Sequence, residues 1–320
     1  MKLLPGMRVA LGDRALAFPH PPTVCLRADG SALAAIEDAS DDGASVLVHV
    51  DETGVQGRMP LPEGEFGAQP VIVDRGDLGV LVLVDHRIAL AIDAGFGTAR
   101  TVEIEGASED DAGEPRLTAG GIAHPTPDGD WLTILTDPVS FQNARTIGRL
   151  RIDGHAAAWV RTEMLDGADY PMSGARTASG TATAPILGDA LDVGAERFVS
   201  AEGSDRMSML KYGADFFTLA AVDAERRVTR RLYEESGWKR MPGKHGIRAR
   251  FTTDGASAIL SPVFGTGDWK GRQRMLTLAD GMLEEVPRVR GAAGFALVDV
   301  RGDHALLASP DEVLFATLDR

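Results

Sequence analysis

Short apolar runs that end in aspartate recur along the whole chain. Each run has the length of a β-strand and, except for the last, is followed at once by another strand-like stretch, as residues 98–105 follow residues 88–93. The six runs are residues 46–51, 88–93, 149–153, 219–223, 276–280 and 315–319. Repetition from end to end is typical of chains built from copies of one supersecondary unit. The pattern therefore predicts an all-β repeat protein.

A pair of turn-forming residues lies one strand ahead of each of these runs. The six pairs are Asp29-Gly30, Gly76-Asp77, Asp128-Gly129, Ser204-Asp205, Asp254-Gly255 and Gly302-Asp303. Aspartate and glycine tolerate the positive φ angles of tight hairpins, so each pair can join two antiparallel strands. With the aspartate-ending run and the stretch after it, each unit then has four strands.

Six units of four short antiparallel strands predict a six-bladed β-propeller, in which sheets repeat around a central axis. The approximate blades are residues 20–62, 70–105, 121–164, 197–234, 248–289 and 295–319. The last blade lacks a fourth strand, and residues 7–18 are expected to supply it and close the ring. Within that segment, residues 7–11 and residues 14–18 are the two alternatives for the closing strand.

The clearest internal duplication pairs residues 127–135 with residues 253–260, each of which passes from an Asp-Gly turn into an apolar strand. The sequence Pro127-Asp128-Gly129 followed by an apolar strand and an aspartate-ending strand resembles the six-bladed propellers typified by the periplasmic protein TolB. The resemblance covers nearly the whole chain and concerns architecture. It implies a fold, and it carries over no active site because propellers serve many activities.

The composition is that of a globular protein with an acidic surface. The chain has 320 residues, 44% of them hydrophobic, and a formal net charge of −14. Such a surface repels the phosphate backbone of DNA and RNA, so nucleic acid is not an expected partner. The longest apolar stretches are too short to cross a bilayer, so no membrane association is expected either.

The single cysteine, Cys25, rules out an internal disulfide and a cysteine-based zinc cluster. Its position within Thr23-Val24-Cys25-Leu26 is typical of a buried apolar side chain rather than a reactive thiol. Near the N-terminus, Pro5-Gly6 interrupts the chain too early for the apolar core of a secretory signal. The sequence therefore predicts a cytoplasmic protein, and it predicts no cofactor and no metal.

The longest predicted connections fall on one face of the predicted ring. They join second to third strands, or one blade to the next, and comprise residues 106–119, 137–146, 165–196, 235–246 and 261–273. We call this surface the long-loop face. Because loops on a rigid scaffold commonly carry function, the long-loop face is the predicted functional surface.

The segment 238–248 is the main charge anomaly of the chain. It holds four fixed positive charges, Lys239, Arg240, Lys244 and Arg248, together with His245. Arginine forks bind carboxylates and phosphates through paired hydrogen bonds. The segment therefore predicts a site for an anionic small molecule or an acidic protein segment. The alternative is that these cations pair with nearby acidic loops and hold the face together.

Two further segments of the long-loop face contribute to the predicted ligand site. Trp269 and Lys270 would add an aromatic wall and another cation, although the indole could instead cap the channel. Tyr170 lies in an insertion at residues 166–174 that could form a lid. The alternative for that insertion is a disordered segment without a role.

Three histidines, His20, His124 and His245, are predicted to point toward the mouth of the central channel. Together they could supply acid–base groups. They come from separate blades and lack the spacing of a metal site. The sequence contains no G-x-S-x-G elbow, no phosphate-binding G-x-x-x-x-G-K-[ST] loop and no H-E-x-x-H.

Two functional hypotheses follow. The preferred one is a cytoplasmic propeller that binds a ligand or a protein on its long-loop face without chemistry of its own. The alternative is a small-molecule enzyme (a hydrolase, lyase or isomerase), whose acid–base groups are the three histidines and whose substrate clamp is Arg240 or Arg248.

Overall fold

The protein is all-β. In a computed structural model of the chain, the described residues are 2–12, 23–38, 44–65, 68–106, 117–136, 145–164, 186–194, 196–203, 216–223, 227–236, 247–262 and 272–319. Within these ranges there are 25 strands, one short 3-10 turn at Gly76–Leu78 and no α-helix. No helix in the described part of the chain has the length and apolar character needed to cross a membrane.

Strands that are consecutive in the chain pair antiparallel in groups of four. Three groups form separate sheets, with strand orders β2-β3-β4-β5, β15-β16-β17-β18 and β19-β20-β21-β22. The first comprises β2 Val24–Leu26, β3 Ala32–Asp38, β4 Ala44–Asp51 and β5 Gly54–Pro60. The second comprises β15 Ile186–Asp192, β16 Arg197–Gly203, β17 Phe216–Val222 and β18 Val228–Ser236. The third comprises β19 Ile247–Phe251, β20 Ser257–Pro262, β21 Arg274–Thr277 and β22 Leu283–Glu285.

Two of the predicted units are joined in one nine-stranded sheet, so the described residues form five sheets and not six separate ones. Its first part comprises β6 Gln69–Asp74, β7 Val80–Leu83, β8 Ile88–Ile92 and β9 Ala99–Glu105. Its second part comprises β10 Leu117–Ile122, β11 His124–Pro125, β12 Trp131–Thr136, β13 Arg145–Asp153 and β14 Ala156–Met164. The parts join where β9 pairs in parallel with β14, at the small residues Ala157 and Ala158.

Strand β10 also pairs in parallel with β6, which the sequence did not predict. The approach is close at Gly120, where an added Cβ would lie 2.7 Å from Oε1 and 3.0 Å from Cβ of Gln69. Gly120 also has a φ of 82°, in the left-handed region that favours glycine. This close contact fixes the position of β10, which matters for the site described below.

The N-terminal strand completes the last sheet, whose order is β1-β25-β24-β23. Its strands are β1 Lys2–Ala10, β23 Ala296–Arg301, β24 His304–Ala308 and β25 Glu312–Asp319. The sequence placed this strand within residues 7–18, so its predicted start was wrong. Pro5 lies inside β1 because an edge strand tolerates a residue without an N–H, and the register shifts between Pro5 and Arg8. The alternative at residues 14–18 lies outside the described residues.

Strand β15 corrects a second prediction, which treated all of residues 165–196 as a connection. Ile186–Asp192 is a strand, and the turn after it is closed by the backbone N–H of Val193 donating to the carbonyl of Glu196, not by Ser204-Asp205. Gly188 and Asp189 hide this strand in the sequence because they interrupt its apolar pattern. Residues 165–185 lie outside the described part of the chain.

Apolar side chains fill the spaces between consecutive groups. On β3 and β4 the side chains alternate, so that Leu33 and Leu47 pack toward β6–β9 while Ala34 and Val48 pack toward β23–β25. Further clusters lie between each later group and the next. Strands buried on both faces read as continuous apolar runs, which explains the pattern that dominates the sequence. The last group packs against the first.

Four of the six aspartates that end the repeated runs, Asp51, Asp93, Asp223 and Asp280, stabilise the turns after them. The carboxylate of Asp51 accepts a hydrogen bond from the backbone N–H of Thr53, and that of Asp93 accepts from Gly97 and Thr98. Asp223 and Asp280 accept in the same way from Arg227 and Met282. A short acidic side chain can thus satisfy turn donors that the strands leave open, which accounts for the recurrence of aspartate.

Candidate functional site

The first strand of each group faces the interior of the protein. Contacts join β2 with β23, β15 with β19, and β10 with β2. Polar side chains on these strands are therefore brought together from distant parts of the sequence. The candidate site is built on them.

Asp299 of β23 is fully buried and connects β23 to β2 and to the turn after β19. Its carboxylate accepts hydrogen bonds from the backbone N–H groups of Leu26 at 2.8 Å, Thr253 at 2.9 Å and Val300 at 2.8 Å. Burial raises the pKa of the Asp299 carboxyl, although the charge of Arg250 and these N–H donors act to lower it. Asp299 is a structural acceptor between first strands.

Asp189 of β15 repeats this arrangement at another position. Its carboxylate accepts from the backbone N–H of Ala190 at 2.9 Å and from that of Phe251 at 2.8 Å. Both Asp189 and Asp299 follow a shift in strand register, after Leu187 and Leu297 respectively. A bulge re-aims a side chain, and here it turns a carboxylate toward the first strand of a neighbouring group.

A cavity lies beside Asp189. The volume open to the centre of a water molecule is about 40 Å³, and the cavity is bounded by parts of β10, β12, β15, β16, β17 and β19. Its polar lining includes Thr133, Asp189, Arg248 and Arg250, and its apolar lining includes Ile122, Ile134, Ile247 and Phe217. Cavities that combine apolar walls with a few polar groups are typical of small-ligand sites.

Two arginines of β19 supply the positive charge of this lining. Arg248 is partly exposed, whereas Arg250 is 7% exposed and donates a hydrogen bond to the carbonyl of Val24. The two are separated by one residue, so they lie on the same side of the strand. Ile247, which also lines the cavity, lies within the basic segment 238–248.

His124 of β11 contacts Asp189, which lines the cavity. It is 1% exposed, and its Nε2 atom is 3.4 Å from Oδ2 of Asp189 without making a hydrogen bond. The imidazole packs edge-on against Phe251, with ring centroids 6.0 Å apart. The pair joins a buried imidazole to a carboxylate that lines the cavity.

Thr133 of β12 has an unsatisfied hydroxyl at the cavity. The residue is 4% exposed, and its Oγ1 atom makes no hydrogen bond to any described group. A buried hydroxyl without a partner costs free energy unless water or a ligand satisfies it. Thr133 itself is one of the residues that line the cavity.

Further buried residues lie near Arg250 in the interior of the protein. Arg27 is paired with Asp74 at 3.3 Å and with Asp29 at 3.4 Å, and Cys25 is buried beside them. Burial, assisted by the charges of Asp74 and Asp299, raises the pKa of the Cys25 thiol well above its usual value. As the sequence predicted, this cysteine is a buried side chain, and its thiol stays protonated.

The structure places two of the predicted site residues around Asp189. Arg248 lines the cavity, and His124 lies behind Asp189. The other predicted residues lie outside the described residues: His20, Tyr170, Lys239, Arg240, Lys244, His245, Trp269 and Lys270. They remain predictions. In the described part of the chain, no group of three or more His, Cys, Asp or Glu side chains is placed to hold a metal ion.

Sequence reasoning missed Asp189, Arg250 and Thr133. Two of them carried a signal, because a charge inside an otherwise apolar strand is unusual: Asp189 interrupts β15, and Arg250 stands between Ala249 and the buried Phe251. Thr133 carried none, since threonine is common in strands.

No protein-family model and no curated protein matches the chain. Several solved structures are similar to the chain at low sequence identity. The β-propeller domain of Cps50 (Swd1) from Myceliophteria thermophila is 11% identical over 95% of this chain and 99% of that one, with a TM-score of 0.46. The GH93 α-L-arabinofuranosidase of Fusarium graminearum is 11% identical over 99% and 98% of the two chains, with a TM-score of 0.49. A Lactobacillus plantarum protein is 15% identical over 91% and 86%, with a TM-score of 0.42. Likenesses of this size carry no inference about activity.

Proposed function

We propose that the chain is a six-bladed β-propeller of the TolB-like kind, closed by β1, and that it binds a small anionic ligand in the cavity at Asp189. Support for six blades comes from the groups of four strands, counting the two parts of the nine-stranded sheet separately. Packing of the last group against the first and pairing of β1 with β25 support a closed ring. An experimental density map with another number of radial sheets would contradict this part.

The binding proposal rests on one observation. Two cationic side chains, Arg248 and Arg250, are among the residues that line the cavity beside Asp189. Guanidinium groups bind carboxylates and phosphates strongly when water is largely excluded. A cavity of this size suits a small molecule better than an acidic protein segment, so the small-molecule form of the hypothesis is preferred.

The basic segment would add to the same site. Gly246 immediately precedes Ile247, so Lys244 and His245 are within three residues of the lining in sequence. These residues, with Lys239 and Arg240, are proposed to contribute positive charge around the entrance. Trp269, Lys270 and Tyr170 remain proposed contacts of a bound ligand.

Calorimetric titration of the purified full chain with acetate and with inorganic phosphate tests binding. At least one of these anions is expected to bind, and Arg248→Ala is expected to weaken that binding at least tenfold. Arg288 is exposed and lies outside the cavity, so Arg288→Ala is the matched control and should leave the affinity unchanged. Equal affinity in the parent and Arg248→Ala, or no binding of either anion, would overturn the proposal.

A second candidate function, a small-molecule enzyme, is favoured by the His124–Asp189 pair. An imidazole beside a carboxylate can act as an acid–base group when a substrate lies within reach. In this role Asp189 would orient His124, and Arg248 would hold an anionic substrate. Turnover that is lost in His124→Gln while anion affinity is retained would favour catalysis over binding alone.

The proposal includes a cytoplasmic location, as the sequence predicts. Fractionation of cells that express the full chain tests it directly. Recovery of the protein with cytoplasmic markers is expected, and recovery in the secreted or membrane fraction would contradict this part alone.

A further inference from the structure

Five Asp-Gly pairs lie at connections between adjacent strands in the described part of the chain: Asp29-Gly30, Asp128-Gly129, Asp153-Gly154, Asp254-Gly255 and Asp280-Gly281. In such a pair the side-chain carboxyl carbon is close enough to the following backbone nitrogen to close a five-membered ring. Glycine leaves that nitrogen open, because it has no Cβ to shield it. The local chemistry of the five pairs is therefore the same, and only the fold can make their reactivity differ.

In four of the pairs a hydrogen bond holds the aspartate carboxylate in place. The donor is a backbone N–H two residues further on at three of them and a guanidinium at the fourth: Ser31 for Asp29, Ala256 for Asp254, Met282 for Asp280 and Arg149 for Asp128. The distances from these donors to the carboxylate oxygens run from 2.6 to 3.0 Å. Such a contact has to break before the carboxyl group can turn toward its own following nitrogen.

In the same four pairs the glycine N–H is also held. It donates to the carbonyl of an earlier residue at 2.8–3.1 Å: Gly30 to Arg27, Gly129 to Thr126, Gly255 to Thr252 and Gly281 to Thr277. The nitrogen gives up this proton when it attacks, so a hydrogen bond that keeps the N–H directed at a carbonyl opposes the reaction. At these four pairs the fold therefore restrains both reacting groups.

Asp153-Gly154 lacks both restraints. Both residues are exposed, and the Asp153 carboxylate makes no hydrogen bond or ion pair to any described group. The backbone N–H of Gly154 likewise donates to no carbonyl among the described residues. Gly154 has a φ of 58° and open space where a Cβ would lie. At this hairpin end the two reacting groups are therefore free to meet.

We infer that Asp153-Gly154 is a modification site, at which the folded protein converts aspartate to isoaspartate as it ages. The nitrogen of Gly154 attacks the protonated carboxyl group of Asp153, an N–Cγ bond forms, and the Cγ–OH bond breaks. The hydroxyl leaves as water together with the amide proton, which gives a succinimide. Water then adds to the main-chain carbonyl carbon of that ring and breaks its bond to nitrogen. One water is released and one is consumed, so the reaction requires no other reactant.

The product alters a contact between the two parts of the nine-stranded sheet. Only two residues connect β13 and β14, because Asp153 pairs with Ala156. Isoaspartate adds one backbone atom to this connection and so displaces the carbonyl of Gly154, which accepts a hydrogen bond from Nη1 of Arg75 at 2.5 Å. Arg75 lies in the connection between β6 and β7. The modification therefore weakens the contact between these two turns, and it leaves an exposed main-chain carboxylate of the kind that an isoaspartate-specific carboxyl methyltransferase modifies.

Ageing of the purified full chain in neutral buffer, followed by trypsin digestion and mass spectrometry, tests the inference. Isoaspartate leaves the mass of a peptide unchanged and shifts its chromatographic retention. Each site is read in its own peptide: residues 152–161 for Asp153, 117–145 for Asp128, 251–270 for Asp254 and 275–288 for Asp280. The isomerised fraction at Asp153 is expected to be at least about fivefold larger than at the other three sites, because those must first open locally.

Asp153→Glu is the matched control variant. Its side chain is longer by one carbon, so the ring would need six members, and the peptide 152–161 of this variant should contain no isomer after the same ageing. An isomer that forms equally in the parent and in Asp153→Glu would show that the modified residue is not Asp153, and it would overturn the inference.

The same incubation in urea shows whether the fold sets the difference. Unfolding removes the restraints on all of these pairs, so the isomerised fractions should rise at Asp128, Asp254 and Asp280 and become similar at the four sites. Equal fractions in the folded chain, or a larger fraction at any of the other three sites, would overturn the inference. It would also fail if the excess at Asp153 were the same in the folded and the urea-treated chain, since neighbouring sequence would then explain it.

Discussion

The hydrogen bonding of buried polar groups differs between the two ends of β19. One end leads into the turn at Asp254-Gly255, and the other lies at the cavity. At the turn end, the Thr252 hydroxyl donates to Asp254 at 2.6 Å and accepts from the backbone N–H of Ser257 at 3.1 Å. Toward the cavity, the hydroxyl of Thr133 and Nε2 of His124 have no hydrogen-bond partner among the described groups. In the turns of other groups, the hydroxyl of Thr126 and Nε of Arg75 also lack a partner, so the contrast is between Thr252 and the residues near the cavity. It indicates that the hydroxyl of Thr252 stabilises the fold, whereas that of Thr133 does not.

The largest expected effect is at Asp299. Asp299→Ala removes the acceptor of three backbone N–H groups and the negative charge beside Arg250, so it should lower the free energy of unfolding by about 3–5 kcal/mol. Urea denaturation measures the change. Asp303→Ala, at an exposed turn position, should stay within about 0.5 kcal/mol of the parent. A loss below about 1 kcal/mol in Asp299→Ala would contradict its structural role.

The second-largest loss of stability is expected when Asp130 is substituted, and this loss depends on pH. The carboxylate accepts from Nε of Arg149 at 2.7 Å and from Nε of Arg151 at 2.9 Å. Burial acts to raise the pKa of Asp130, but the hydrogen bonds and charges of these arginines outweigh it and hold the pKa below its usual value. Asp130→Asn should therefore lose about 1–2 kcal/mol at pH 7.

The sign of the pH dependence follows from that lowered pKa. The folded state binds the Asp130 proton more weakly than the unfolded state, so the stabilisation is complete above the ordinary aspartate pKa and is lost as pH falls through the lowered one. Urea midpoints of the parent and Asp130→Asn should therefore converge as the pH is lowered from 7 into the acid range. A difference that stays constant with pH would show that the charge of Asp130 does not matter.

The next-largest change in stability is expected for one of two matched threonine substitutions. The pair tests the difference between the two ends of β19 most directly. Thr252→Val leaves the N–H of Ser257 without its hydroxyl acceptor and should cost about 1–3 kcal/mol. Thr133→Val removes a hydroxyl that has no described partner and should change stability by less than about 0.5 kcal/mol, or increase it. Chemical denaturation of both variants in ligand-free buffer decides the point. Similar losses in the two would remove the distinction between the ends.

The smallest effect is expected at the exposed turn caps. The hydroxyl of Thr98 and the backbone N–H groups of Gly97 and Thr98 lower the pKa of Asp93. Asp93→Ala should accelerate amide hydrogen exchange at residues 97 and 98 while leaving global stability nearly unchanged, because the turn can open locally. Asp77→Ala, at an exposed position in another turn, should not alter exchange at these two amides.

The sequence predicts most of the strands and turns because these depend on local chemistry. Runs buried on both faces and aspartates that cap their own turns are visible in short windows, and five of the six turn pairs lie between the expected strands. Strand β15 was missed because Gly188 and Asp189 resemble loop residues. The start of β1 was missed because Pro5 resembles a break.

The site was less predictable because its geometry depends on distant strands. The charge pattern indicated Arg248, which lines the cavity, but nothing near Asp189 in sequence shows that it caps Phe251 or lies 3.4 Å from His124. These contacts arise only when β11, β15 and β19 are brought side by side.

Pairing of β1 with β25 has a consequence for folding. The two strands are separated by nearly all of the described residues, so their pairing closes a very long loop of chain. Before they pair, each presents an unpaired edge, which is where chains tend to associate with one another. Pro5 of β1 offers no N–H to a neighbouring chain at that edge, which reduces this risk.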